Sequence, residues 1–386
     1  MKLLTYIWRN VRRNKLRSAL TIMSVGFSLA LMTILYGYLA MQDVTQKEAS
    51  KHDRVVVLNK LGFAAPLPIA HVDKISKMEG VAAASPFTWY GGKYKDEANL
   101  FAQFGVEPET IFEIYDEYEI APEQEAAFKE TKRGCVVDAA IAEAQNWEIG
   151  DRIPLAGTIY QANLDLILVG TFKAPGNTGS LWFNWNYLDD ELLNMGAGFR
   201  GNAGSIQVKS KTVNVAELCE EIDAKFVNSE NSTRTRTQAA FQKMFADMLG
   251  DVQAYIRYIS MAVVFALALV AATAMAMSMR ERTTEIAVLK AIGFSKQRVL
   301  ALVLGEATMI AIIGGILGIA GGLGALQLVS SVPAAALFFP VPVAALVGPW
   351  LFGLAAVAGG IGFVSGVVPA ILAARLSVVD GLRQVV

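Results

Sequence analysis

The segment Arg280-Glu-Arg-Thr-Thr-Glu-Ile-Ala-Val-Leu-Lys-Ala-Ile-Gly-Phe-Ser295 carries the most informative pattern in the chain. Ile286, Leu289 and Ile292 recur at helical spacing, while Glu281, Arg282, Glu285 and Lys290 leave a charged face. Gly293 reads as the helix stop. A loop that only joins two segments needs no apolar stripe. The pattern predicts a short amphipathic helix that enters a groove on a partner protein, so its chemistry is binding. Catalytic spacing is missing elsewhere. There is no H-E-x-x-H, no G-x-S-x-G and no G-x-x-x-x-G-K-[ST], so these 386 residues hold no loop that could cradle ATP phosphates. Two Cys and two His leave little material for a metal site, and no resident metal or cofactor is expected.

The elements that must position this helix follow from composition. Hydrophobic residues make up 54% of the chain and charged residues 18%, with a mean hydropathy of +0.40. Soluble domains run near 45–50% apolar and about a quarter charged. The formal charge of −1 offers no basic excess for nucleic acid. Uncharged runs of 25 residues (18–42), 22 residues (258–279) and 68 residues (307–374) mark the membrane segments. A spanning helix needs about 20 residues, so the longest run must fold back, with Pro333, Pro340 and Pro342 at its turn. Four spans are predicted, at 19–41, 258–279, 299–329 and 345–374, joined outside by a short loop over 330–344. The first span is read as an anchor and not a signal peptide, because no small-x-small site follows Tyr38-Leu39-Ala40.

Lys2, Arg9, Arg12, Arg13, Lys15 and Arg17 precede the first span without an acid among them. Arg280, Arg282, Lys290, Lys296 and Arg298 dominate the loop 280–298, and Arg375 and Arg383 mark the tail 375–386. Residues 43–257 instead carry 31 acids and 21 bases, a net of −10. The positive-inside rule therefore predicts cytoplasmic termini and a large domain outside. Residues 1–18, with Leu3, Leu4, Ile7, Trp8 and Val11 at helical spacing, read as an interfacial helix on the inner leaflet.

Residues 42–257 read as an α+β unit inserted between spans one and two, raised on helical flanks at 43–51 and 237–257. Strands are predicted at Arg54–Leu58, Cys135–Asp138, Leu164–Gly170 and Ser205–Lys209. Helices are predicted at Ala70–Met78, Asp138–Gln145 and Val215–Phe226. The acidic stretch 107–130 reads as a mobile lobe or an insertion. Trp182 and Trp185 are core residues by default, with an exposed loop as the alternative; Cys135 and Cys219 read as packing residues, although an external disulfide is permitted. Gly314, Gly318 and Gly322 in span three, and Gly362 and Gly366 in span four, are helix-packing positions. They also suggest that one subunit is incomplete by itself. Glu306, the one acid within a span, has no visible intramembrane partner and is expected to snorkel or to bond a neighbour.

With those residues in view, the chain resembles the permease subunits of ABC transporters in the MacB/FtsX/LolE superfamily, the mechanotransmission (type VII) group. The resemblance covers the whole layout. It is strongest in Arg9-Asn-Val-Arg-Arg-Asn-Lys-Leu-Arg-Ser-Ala-Leu-Thr21, in Glu281–Gly293 followed by Glu306, and in Pro369-Ala-Ile-Leu-Ala-Ala-Arg-Leu with Val378-Val-Asp-Gly-Leu-Arg383. Asn146-Trp-Glu-Ile-Gly-Asp-Arg-Ile153 is similar to the family's periplasmic region.

The resemblance implies an inner-membrane permease, itself not an enzyme, working with a separate ATP-binding subunit that holds ATP and Mg. It implies a second permease copy or paralogue, and in some relatives a periplasmic adaptor and outer-membrane channel. Arg282, Glu285, Ile286, Leu289, Lys290, Ile292 and Gly293 would form the coupling helix on the ATPase. The implied task is export or extraction of a lipoprotein, lipid, peptide or drug-like molecule from the periplasm or outer leaflet. The alternative is a non-transporting relay that activates a cell-wall hydrolase or senses a ligand.

Overall fold

The structure, a computed structural model, describes residues 8–9, 15–63, 65–95, 101–175, 178–194, 200–212, 214–248, 251–330 and 342–379. Most of the basic segment 1–18, the turn at Pro333 and Pro340, and the final motif from Asp380 lie outside the described residues. The chain forms two compact units: 1–40, 251–328 and 343–386 make the membrane unit, and 41–250 with 329–342 the outer unit.

Helix α1 runs over Lys15–Ala49. The outer unit adds α2 (Ala70–Ser76), the single-turn α3 (Ile111–Ile114), α4 (Pro122–Glu130), α5 (Ala139–Gln145), α6 (Trp185–Asn194), α7 (Val215–Phe226) and α8 (Gln238–Met248). The other long apolar helices are α9 (Val252–Glu281), α11 (Lys296–Ser330) and α13 (Trp350–Arg375). Between them lie α10 (Thr283–Ala291) and the one-turn α12 (Val343–Leu346). Four helices, α1, α9, α11 and α13, are long and apolar enough to cross a bilayer. Phe27, Phe265 and Phe352 are 78%, 67% and 81% exposed on them, as expected where the surrounding solvent is hydrocarbon.

In the outer unit, β1 (Arg54–Asn59), β3 (Val81–Trp89), β4 (Ala102–Val106), β5 (Glu119–Ile120), β6 (Gly134–Asp138), β7 (Arg152–Leu155), β8 (Leu164–Lys173), β9 (Ser180–Asn184), β11 (Ser205–Ser210) and β12 (Thr233–Thr237) share one sheet. The short β2 (Leu67–Pro68) and β10 (Asn202–Ala203) pair separately. The order is β12-β1-β11-β3-β4-β9-β6-β8-β5, with β7 also on β8. β4–β9 and β6–β8 are parallel and the other pairs antiparallel, so the sheet is mixed. One end packs Val55, Val57 and Val208 under Ile75, Leu218, Ile222 and Phe226. The other packs Val137, Leu166 and Leu168 against Ile141, Leu188 and Leu192.

The stretch 107–130 is packed into the outer unit and does not stand off as a lobe. Ile111, Phe112, Ile114, Tyr115 and Phe128 are buried in a third cluster with Phe172 and Trp182. Glu113, Asp116 and Glu119 face outward while Glu117 turns inward, so composition hid the apolar half. Trp182 and Trp185 are core residues, 2% and 6% exposed.

Cys135 and Cys219 are both free and belong to different clusters. Burial pushes the Cys135 thiol well above its ordinary range. Cys219 is pushed up to about 11 by burial first, then by Asp223 and Glu220. Thiol counting in denaturant without reductant should therefore find both cysteines reduced. Native maleimide labelling at pH 8 should be slow at Cys219 and absent at Cys135. Rapid native labelling of Cys135, or a monomer that resists labelling until reduced, would contradict this arrangement.

Candidate functional site

Helix α9 ends at Glu281 and α10 begins two residues later, because the backbone turns at Arg282 (φ −107°, ψ 14°). The turn is held by Arg282 N–H donating to Met279 O at 3.2 Å and by the Thr283 hydroxyl donating to Arg280 O at 2.9 Å. At the far end Gly293 adopts φ +99°. Its N–H donates to Lys290 O at 3.1 Å and that of Phe294 to Leu289 O at 3.0 Å, the paired bonds that close a helix through a left-handed residue. A side chain at 293 would meet no neighbour, so glycine is needed there for its backbone and not for space.

Three contacts fasten α10 to the membrane helices. Arg282 Nη1 donates to both carboxylate oxygens of Glu306 on α11, at 3.0 and 2.9 Å, and the two side chains are only 12% and 7% exposed. Glu306 therefore does not snorkel; its partner comes from the turn before α10. Lys290 Nζ donates to Ala374 O at 2.7 Å and Leu376 O at 2.6 Å, satisfying carbonyls left over at the C-terminal end of α13. Ile286 is buried among Val299, Val303, Ala370 and Ala373, from α11 and α13.

Three residues of the expected docking helix, Arg282, Ile286 and Lys290, thus make contacts within the chain. Leu289 is half-buried, beside Ile286 and Phe294 at the lining of a void of about 20 Å³. The exposed apolar positions are Ile292, 69% exposed, which the sequence analysis named, and Val288, 46% exposed, which it did not. With Glu285 they fall at i, i+3 and i+7, a second stripe along α10.

The glycines serve contacts within one chain. A Cβ at Gly314 would lie 2.9 Å from Ile22 O, at Gly322 2.6 Å from Thr33 Cβ, and at Gly318 would collide with Gly26 O, all on α1. Gly362 and Gly366 meet α11 instead, with Ala311 Cβ at 2.6 Å and Ala307 Cβ at 2.9 Å from the added carbon. These faces are consumed by the fold, so they are not evidence for an incomplete subunit. Gly26 was missed as a packing position; only its place opposite Gly314 and Gly318 reveals it.

Replacing Glu306 with Leu takes the doubly bonded carboxylate away from the buried Arg282 guanidinium, which should cost roughly 3–5 kcal/mol. Replacing both members with Met should recover most of that loss. Thermal unfolding of the purified protein in detergent reads both variants; equal stability of Glu306→Leu and wild type would remove the pair's anchoring role.

The similarities to known proteins agree with this layout. The MacB-like periplasmic core domain family matches residues 18–225, and the FtsX-like permease C-terminal family matches residues 257–378. An uncharacterized ABC transporter permease, MJ1507 of Methanocaldococcus jannaschii, is 23% identical across 99% of this chain and 97% of its own length. The macrolide export ATP-binding/permease protein MacB of Neisseria gonorrhoeae is 25% identical across 97% of this chain, which spans 59% of that protein. The periplasmic region of MacB from Actinobacillus actinomycetemcomitans aligns at a TM-score of 0.37 with 16% identity, over 50% of this chain and 93% of that one. With one family on the outer unit and first span, and the other on the remaining spans and α10, the chain belongs to the ABC transporter permeases of the MacB/FtsX type.

Proposed function

We propose that this permease transmits ATP-driven motion from a separate ATP-binding subunit to its outer unit, expelling or extracting a substrate from the periplasm or outer leaflet. In this reading α10 is the input. Its loop and both termini face the cytoplasm, where the Lys/Arg excess favours them. The outer unit is periplasmic, and two permease chains assemble with two ATP-binding subunits. ATP and Mg belong to those subunits, since these 386 residues contain no phosphate-cradling loop. Lipoproteins, lipids, peptides and drug-like molecules are the substrate classes open to it.

The carrying observation is the two-sided use of α10. Its inner side is tied to α11 through Glu306 and to α13 through Lys290, while Val288 and Ile292 remain outside. A push on the outer side is thus delivered to two membrane helices at once. Glu285 precedes Val288 by one helical step on α10, so a charge reversal there changes the field beside the exposed apolar pair. Gly293 sets where the helix ends and so where Ile292 projects.

Val288→Ala with Ile292→Ala should cost on the order of 1–3 kcal/mol of contact energy, weakening ATPase recruitment about 5- to 150-fold without changing stability. Glu285→Lys should act in the same direction. Ile286→Ala should do the reverse, lowering thermal stability while the fraction that remains folded still recruits its partner. Co-purification and stimulated ATP hydrolysis in reconstituted complexes measure this. Wild-type recruitment by the Val288/Ile292 double variant would eliminate α10 as the docking element.

A further inference from the structure

Both helices that lead from the spans into the outer unit end at one buried cation. Arg54, the first residue of β1, stands five residues after the end of α1 and is 3% exposed. Its Nη1 donates to Glu117 Oε2 at 2.6 Å and to Ile114 O at 3.2 Å, and its Nε donates to Gln238 Oε1 at 2.5 Å. The guanidinium also covers the Tyr115 ring at 4.3 Å from the centroid. Gln238 opens α8, the helix on the way to the second span. Glu117 is itself only 15% exposed, and its other oxygen is 3.8 Å from His52 Nε2, which lies 3.9 Å from Glu48 of α1. One guanidinium thus meets the start of α8, the aromatic cluster at 114–117 and, through Glu117 and His52, the end of α1.

A planar cation with several fixed donors suits such a junction, because each hydrogen bond constrains a different segment. We propose that Arg54 and Glu117 form a clasp that holds the outer ends of α1 and α8 in one geometry. Arg54 is then a positioning residue. It makes the two lead-in helices move as one body, instead of each displacing the outer unit separately. This goes beyond the docking role of α10 and does not depend on it.

The test needs neither an ATPase nor a transported molecule. Full-length protein lacking its two native cysteines (Cys135→Ala, Cys219→Ala) is placed in lipid nanodiscs. Nitroxide pairs are introduced through Lys47→Cys with Lys243→Cys, one on each lead-in helix. A second pair, Glu143→Cys with Lys225→Cys, lies within the outer unit. All four positions are exposed. With the clasp intact both pairs give narrow distance distributions by pulsed electron resonance. In Arg54→Met and in the milder Glu117→Gln, the Lys47/Lys243 distribution should roughly double in width while the Glu143/Lys225 distribution stays narrow. Unchanged widths in both single variants would overturn the proposal. So would equal broadening of both pairs, which would make the contact a general support of the fold.

Discussion

The buried pair of Arg282 and Glu306 is the constraint on which the membrane unit turns. A carboxylate within an apolar helix is tolerable only with a partner, and here the partner sits at the joint between α9 and α10. The ion pair therefore decides where the chain leaves one helix and starts the next. Ile286 then falls between α11 and α13, and Lys290 reaches the carbonyls that end α13. A helix of nine residues would be marginal by itself; these three attachments make it a rigid part of the bundle.

From that block the packing continues through small residues. Lipid tails offer no hydrophobic drive for one helix to leave them for another, so close backbone approach must supply the attraction. Gly314, Gly318 and Gly322 let α11 press against α1 at Ile22, Gly26 and Thr33, and Gly362 and Gly366 bring α13 onto α11. α1 itself is one helix from Lys15 to Ala49. The outer unit is held differently, by aromatic and aliphatic clusters packed at native density on a mixed sheet.

The two buried ion pairs occupy comparable places. Arg282 joins elements 24 residues apart at the α9–α10 turn, and Arg54 joins elements 63 and 184 residues apart in the outer unit. In each case an arginine lies where a membrane-directed helix begins or ends. Charge pairs of this kind contribute little net stability compared with apolar packing, but they tolerate only a few geometries. That restriction suits junctions that must keep an orientation while neighbouring helices shift.

Much of this protein was legible in its sequence. Charge gaps located all four long apolar helices, and the spacing of Ile286, Leu289 and Ile292 with Gly293 announced α10. Short apolar runs marked β1 and β6, and alternation marked β8 and β11, because a segment's pattern is local information. What periodicity could not decide is which of two faces of α10 is buried. Its two sides both carry aliphatic and charged residues, and burial depends on what the fold places opposite. Only the tertiary structure turned Ile286 inward and Ile292 outward, matched Gly26 to Gly318, and drew the acidic stretch 107–130 into the core through Phe112 and Tyr115. The partners of Arg282 and Arg54 were equally unreadable, since contacts between residues far apart in the chain are set by packing and leave no repeating pattern along it.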